Sequence, residues 1–449
     1  MAITVGMISL GCPKNQVDAE IMLADLKKNG FELVGDAALA EVVIINTCGF
    51  IESAKKESIE QILEMGLLKK EGRIKKIVVT GCLAERYREE LAKEIPEADI
   101  ILGIGSNSEL CSAITEAMQE DKPRVSFGEK TCLALEGDRV LTTLPFYAYL
   151  KIAEGCDNCC TYCAIPEIRG RFRSREMESI VAEAKSLALA GVEELVIVAQ
   201  DTTRYGMDLY GKPSLSGLLY KLNDIEGIRW IRILYAYPEV ITDELCEAIA
   251  KLPKVVKYID IPIQHSNGEI LRRMNRSGDS ESLLLLVKKL REKIPGVVLR
   301  TTLITGFPGE TEEQFCELCE FLKKAKFERV GCFAYSREEG TVAADFEDQI
   351  DSETAERRAD IIMRSQQRTV DEYNEKMIGK TLTVVVEGYD RYGECYFGRS
   401  EFDAPDIDGK IFFASQTPLR IGDFINVEII DAMDYDLMGE ALPSEGGKL

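Results

Sequence analysis

Histidine occurs once in these 449 residues, and no apolar run approaches the roughly 18 to 20 residues that span a bilayer. A single histidine leaves little ordinary acid–base chemistry to draw on. The opening "MAITVGMISLG" has no basic leader and reads as a strand, so the chain is expected to be cytoplasmic, with no membrane contact. Positive charge is also in short supply: 55 Lys and Arg stand against 77 Asp and Glu, a net charge of −22. Nucleic-acid binding draws much of its strength from cations that neutralise phosphates. A chain of this sign steers basic partners towards it unless a local patch reverses the field.

The remaining composition, 45% hydrophobic and 29% charged, is that of a globular protein, and the length implies roughly two to four domains. Cysteine is plentiful, with 14 in the chain. In the cytosol disulfides are uncommon, so thiol clusters there point to metal or redox sites.

Apolar runs and helical stretches alternate along most of the chain. "ITVGMISL", "EVVIINT", "KKIVVTG" and "ADIILGI" read as strands separated by helical segments, the pattern of a doubly wound parallel sheet. The N-terminal domain is placed at 1–120, followed by a charged connector over about 119–143. Six longer strand–helix units then run from "YAYLKIA" to "RVGCFAYS". They predict a partial (β/α)6 barrel over 142–377, with function at the C-terminal ends of its strands and a charged exit helix at about 352–377. Short strands between Gly, Asp and Pro turns make 378–445 a small all-β, OB-like barrel. The fold class is therefore α/β with an all-β tail.

Four cysteines crowd into "CDNCCTYC", residues 156–163, just after the first strand of the barrel-like unit. Two abutting C-x-x-C pairs could bind zinc, but structural zinc pairs are usually separated by a longer spacer. C-x-x-x-C-x-x-C, using Cys156, Cys160 and Cys163, suits an iron–sulfur cluster with one open iron. Three more cysteines, Cys12, Cys48 and Cys82, each follow a predicted N-terminal strand with a glycine alongside. In a parallel sheet such positions fall on one edge. They are either a second three-thiolate site or three small buried hydrophobes.

The triad in "CDNCCTYC" resembles the signature of the radical S-adenosylmethionine enzymes. The order of the three units is similar to that of the methylthiotransferase family within that group. Matching stretches are "SLGCPKNQVDAE", "NTCGFIESAKKESI", "TGCLAERY", "YLKIAEGC", "IRGRFRSR", "AQDTTRYGMDLYG", "IPIQHSNGEILRRMNR" and "TGFPGET". These, with "GRSEFDAPDIDGKIF" in the tail, look most like the branch that modifies a ribosomal protein rather than tRNA. In that family the tail is a TRAM domain.

The resemblance implies two [4Fe–4S] clusters, one on Cys156, Cys160 and Cys163 and an auxiliary one on Cys12, Cys48 and Cys82. It implies S-adenosylmethionine as cofactor and radical abstraction of hydrogen from an aspartate β-carbon. Sulfur insertion and methyl transfer would follow, giving 3-methylthioaspartate in small-subunit ribosomal protein S-twelve. Implied partners are that protein, a low-potential electron donor such as flavodoxin or ferredoxin, and a sulfur donor. Tyr162 matches the aromatic residue that packs by the adenine, and Cys159 is a non-ligand where the family generally carries another residue type. A tRNA adenosine methylthiotransferase and a non-catalytic iron–sulfur carrier are the alternatives.

Several further residues follow from their places in the barrel. Gln200 and Asp201, at a strand end, are candidates for holding ribose or methionine. Gln264 and His265 end another strand beside the pocket. Gly306 and Gly309 in "TGFPGET" are expected where backbone approaches S-adenosylmethionine. Cys316 and Cys319 share a predicted helix and read as core packing. Cys111, Cys132, Cys246, Cys332 and Cys395 read as structural, and the acidic run at Glu338 as solvated surface. From Gly379 to Leu449 six Lys and Arg meet 14 Asp and Glu, a net of −8. An acidic tail suits a basic ribosomal protein, whereas "RGRFRSR" offers a local basic patch for RNA.

Overall fold

The computed structural model describes residues 2–120 and 122–443, so the expected outer boundaries at 1 and 445 lie outside the described residues. The N-terminal sheet contains β1 (Thr4–Ser9), β2 (Glu32–Leu33), β3 (Val42–Thr47), β4 (Lys76–Gly81), β5 (Ile100–Leu102) and β6 (Arg124–Ser126). All pairings are parallel, in the order β2-β1-β3-β4-β5-β6. Helices cover both faces, so the inner strands are continuous apolar runs, and β3 is buried at every position. The strand order reverses around β1, which opens a crevice at the C-terminal ends of β1, β3 and β4. The connector expected over 119–143 is a correction: it supplies β6. Three residues are too few to show a strand period, and only pairing with β5 defines them.

The central sheet begins with β7 (Tyr147–Lys151), and the two-residue strands β8 (Ala153–Glu154) and β9 (Arg173–Ser174) pair beside it. It continues through β10 (Glu194–Val198), β11 (Trp230–Ile233), β12 (Val255–Asp260), β13 (Val298–Thr305) and β14 (Arg329–Ala334). The parallel order β14-β13-β12-β11-β10-β7 leaves the first and last strands unpaired with each other, so the barrel is open. Strand alternation divides its two faces. Ala148, Leu150, Leu195 and Ile197 point out to the helices. Tyr147, Tyr149, Val196 and Val198 point inward, where Val17 and Ile21 of the N-terminal unit and Val385 and Ala404 of the tail meet them. All three units therefore pack around one concave face.

The tail is a closed barrel of β15 (Thr381–Asp390), β16 (Cys395–Ser400), β17 (Ile411–Ala414), β18 (Phe424–Met433) and β19 (Asp436–Ala441), in the order β15-β16-β17-β19-β18. Its loop 401–409 plugs the concave face. Arg329 pairs with Asp403 at 2.7 Å, Tyr258 donates to Asp408 at 2.6 Å, and Arg232 donates to the Glu401 carbonyl at 2.9 Å. Arg399 reaches back to Glu194 and also holds Glu387 at 2.8 Å. This corrects the charge argument made for the tail. Glu387, Asp403 and Asp408 are spent on buried cations and do not face a partner. Among the described residues, the exposed acids of the tail are those of β18, β19 and the turn between them, together with Glu394 and Asp406.

Three smaller expectations are also corrected. Glu338 is buried, at 2% exposure, because Lys55 and Arg86 of the N-terminal unit converge on it at 3.1 and 2.8 Å. Cys316 is exposed while Cys319 is half-buried. The buried face of the helix Glu312–Ala325 runs through Phe315, Leu318 and Leu322, and one residue on from Phe315 the turn carries Cys316 away from it. Cys132, too, is exposed. Among the described residues no helix is long and apolar enough to cross a membrane.

Candidate functional site

The three N-terminal cysteines meet in the crevice at the reversal of strand order. Cys12 caps the helix Pro13–Lys28, Cys48 follows β3 directly, and Cys82 opens the helix Cys82–Glu94 after β4. Because β1, β3 and β4 are adjacent, sequence separations of more than thirty residues collapse onto one sheet edge. Buried Asn15 braces that edge by donating to the carbonyls of Leu10 (2.8 Å) and Thr47 (3.2 Å). Gly11 adopts φ +91°, and a Cβ there would lie 2.9 Å from the Cys48 sulfur. That glycine therefore makes room for a neighbouring thiol.

Burial pushes the Cys48 thiol up to about 12, and the Cys82 and Cys12 sulfurs add to the rise. Cys82 is raised by burial, with Arg169 opposing. Cys12 also meets a burial penalty, but the charges of Lys14 and Arg169 outweigh it and the thiol is lowered. Lys14 itself is buried, with its ammonium 3.4 Å from the centre of the Tyr235 ring. Crowded, desolvated thiols of this kind become thiolates when a metal compensates their charge.

The second triad lies in a short loop after β8. Tertiary contacts, rather than secondary structure, shape it. Asn275 donates to the carbonyls of Asn158 and Cys159 at 3.2 and 3.0 Å. Thr161 is held by the Met274 and Arg273 carbonyls. Cys163 receives the Ile165 N–H on its sulfur at 3.4 Å. The Cys160 sulfur is 3.2 Å from the Tyr237 hydroxyl, and Arg276 stacks 4.1 Å from the centre of that ring. Burial raises Cys156 to about 11 and lifts Cys163 as well, aided by the Cys160 sulfur. Cys159 is exposed, with φ +49°, so the chain turns it out of the loop. Among the described residues no three His, Cys, Asp or Glu side chains close tightly enough to hold one metal ion. Cys156, Cys160 and Cys163 are the buried and half-buried thiols of the loop, the three of the C-x-x-x-C-x-x-C spacing that suits an iron–sulfur cluster with one open iron.

A buried ionic seam separates the two triads. Lys151 pairs with Asp18 and, at 2.9 Å, with Glu154. Arg169 pairs with Asp18 at 2.8 Å and Glu154 at 3.0 Å. Two cations and two anions balance, the condition for keeping such charges out of water. Glu154 meets a burial penalty, which Arg169 and Lys151 overcome, holding its carboxyl down at about 2. The "RGRFRSR" stretch is corrected accordingly: Arg169 and Arg175 are buried, leaving a smaller exposed basic patch than the sequence shows.

The expected pocket residues divide into two groups. Tyr162 packs with Ile270, Met274 and Phe307. Gln264 (φ +72°) forms a bridge to Leu303 beside it, and Gln200 stands half-buried at the end of β10. Asp201 is fully buried and accepts from Asn158 (3.0 Å), Thr203 (2.6 Å) and the Arg204 N–H (3.2 Å). Its side chain ties the strand end to the cysteine loop. His265 is also fully buried; its Nδ1 accepts from the Asn267 N–H at 2.9 Å, while Nε2 has no partner among the described residues. Burial and the nearby Arg358 charge lower its pKa to about 3, so it is neutral at physiological pH. Gly306 has φ +69°, and a Cβ there would meet Ala355 at 2.2 Å; the exit helix requires this glycine. Gly309, at φ +82°, is crowded by Asp348 and Arg273. Sequence reasoning missed Asn158, Tyr237, Arg276 and the individual role of Arg169. Arg169 lies inside a stretch read as a basic patch, and Asn158 and Arg276 lie inside quoted stretches that gave them no role of their own.

Three family models match the chain: the Uncharacterized protein family UPF0004 at residues 4–103, the Radical SAM superfamily at 150–322 and the TRAM domain at 378–442. The chain is 50% identical over 440 residues to "Ribosomal protein uS12 methylthiotransferase RimO" of Desulforamulus reducens, covering 97% of this chain and 99% of that one. The protein of the same name from Caldanaerobacter subterraneus subsp. tengcongensis is 51% identical, with the same coverage. Among solved structures, the radical S-adenosylmethionine methyltransferase TsrM of Kitasatospora setae, with cobalamin and a [4Fe–4S] cluster bound, matches with a TM-score of 0.54. It is 16% identical, covering 74% of this chain and 75% of that one, and so speaks for the fold.

Proposed function

The chain belongs to the family of ribosomal protein uS12 methylthiotransferases named RimO, and from that premise we propose that it converts an aspartate of uS12 to 3-methylthioaspartate. It is a radical S-adenosylmethionine methylthiotransferase whose cofactors are two [4Fe–4S] clusters and S-adenosylmethionine. In this reading Cys156, Cys160 and Cys163 hold one cluster, and Cys12, Cys48 and Cys82 hold the other. When bound, these groups supply reductive cleavage of S-adenosylmethionine to a hydrogen-abstracting radical, together with sulfur and a methyl group. The reaction takes place in the cytoplasm. A low-potential protein such as flavodoxin or ferredoxin supplies electrons, and a separate donor supplies sulfur.

The protein's own side chains orient and enclose these groups. Tyr162, Gln200, Gln264 and the backbone near Gly306 line the S-adenosylmethionine pocket. Asp201 acts from behind by fixing Asn158 between two of the thiols. His265 is uncharged near neutral pH and serves the pocket wall. Phe307, Tyr335 and Phe346 stack edge-to-face beside Tyr162 and would close that side of the pocket against water. The tail presents its outward acids to the basic substrate protein.

The observation that supports this most directly is the pair of thiol triads on either side of one buried seam, in a chain about half identical to its relatives over nearly its whole length. Anaerobically reconstituted protein incubated with uS12, S-adenosylmethionine, sulfide and dithionite should yield methylthiolated uS12 and release 5′-deoxyadenosine. Methylthiolation of added tRNA, with uS12 left untouched, would reject the substrate.

A further inference from the structure

One guanidinium touches both halves of the site. Arg169, 1% exposed, ends the short helix Ile165–Arg169, which begins two residues after Cys163. Its Nη2 donates to the Cys82 sulfur at 3.4 Å and to Asn15 Oδ1 at 3.1 Å. Its Nη1 donates to Asp18 and Glu154. Asn15 and Asp18 belong to the helix that Cys12 caps, and Glu154 lies two residues before Cys156. Ala164 and Ile168 of the same segment pack on Cys82. A residue of the central unit is thus hydrogen-bonded to a sulfur of the N-terminal triad and to chain adjoining both triads.

We propose that Arg169 is a positioning residue that fixes the two thiol triads relative to each other and tunes the Cys82 cluster through an N–H bond to its sulfur. This rests on the reading that both triads hold clusters. A donor aimed at a ligating sulfur, and a buried positive charge beside it, favour the more negative, reduced state of a cluster and so raise its potential. The rigid fork of arginine makes all four contacts together, which a lysine cannot do.

The test uses the reconstituted full chain. Asp18→Asn combined with Arg169→Met removes one charge of each sign, so the seam stays balanced; Arg169→Lys keeps the charge but loses the fork. Iron is counted, and each cluster is titrated by electron paramagnetic resonance, the auxiliary cluster in chains lacking Cys156, Cys160 and Cys163. The double variant should keep its iron while its auxiliary potential moves lower and the other cluster's stays put. Methylthiolated product should fall about 10- to 100-fold, with 5′-deoxyadenosine release in the absence of uS12 unchanged. Arg169→Lys should shift the potential in the same direction by less, and it carries the test if the double variant fails to fold. Full iron with an unmoved auxiliary potential overturns the proposal. A Cys82→Ala chain that keeps both clusters would instead overturn the ligand assignment beneath it.

Discussion

The two triads reach three converging thiols by opposite routes. Cys12, Cys48 and Cys82 are scattered through the sequence and are brought together by adjacent parallel strands and two helix starts. Cys156, Cys160 and Cys163 are close in sequence but lie in a loop with almost no regular structure of its own. Asn275, Asp201, Tyr237 and the Met274 carbonyl supply its shape. A site built on strand ends inherits the rigidity of its sheet, whereas a site built on a loop is as rigid as its neighbours make it.

The contrast breaks most sharply at the thiols. Cys82→Ala should lose one cluster, about four irons per chain, keep release of 5′-deoxyadenosine and form no methylthiolated product. Cys160→Ala should lose as much iron and the release as well. Iron analysis with liquid chromatography of the nucleoside separates the two outcomes.

The loop triad should also be sensitive to a residue that is not a ligand. Asp201→Ala frees Asn158 and should lower 5′-deoxyadenosine release about 10- to 100-fold, leaving the auxiliary cluster's spectrum unchanged.

Much of this contrast is visible in the sequence. Apolar runs such as 42–45 and 77–79 mark the buried strands, and the regular placement of a cysteine just past each one marks the sheet triad. The spacing in "CDNCCTYC" marks the loop triad. The supports of the loop are not visible, because Asn275, Tyr237 and Asp201 come from three other strand–helix units and only folding makes them neighbours. Charge misleads for the same reason. Glu338 reads as solvated surface, and Asp403 and Asp408 count towards an acidic tail, yet each is matched with a cation from another unit. The short β6 and the exposed Cys316 show how little signal three residues or one helical step can carry.

The effect at His265 is smaller. Its folded pKa of about 3 lies below the ordinary 6.5, so the unfolded chain takes up a proton first as pH falls. The fold therefore loses stability between about pH 6.5 and 3, by at most about 1.4 kcal/mol per pH unit, and none of this loss arises above that window. Urea midpoints of wild type and His265→Gln should converge in slope at pH 8 and separate between pH 6 and 4; parallel profiles throughout would contradict the assignment.

The smallest effect belongs to the fourth thiol of the loop. Cys159→Ala should retain both clusters and full activity, and Cys159→Gly should be no less stable, because φ +49° suits glycine. Loss of a cluster in either variant would restore a ligand role to Cys159.

Mass spectrometry of uS12 and bulk tRNA from a strain deleted for this chain, complemented by wild type or by Cys82→Ala, tests the central claim most directly. The account predicts a methylthio group on a uS12 aspartate with wild type alone and unchanged tRNA in every strain. A methylthio group that disappears from tRNA while uS12 stays the same would contradict it.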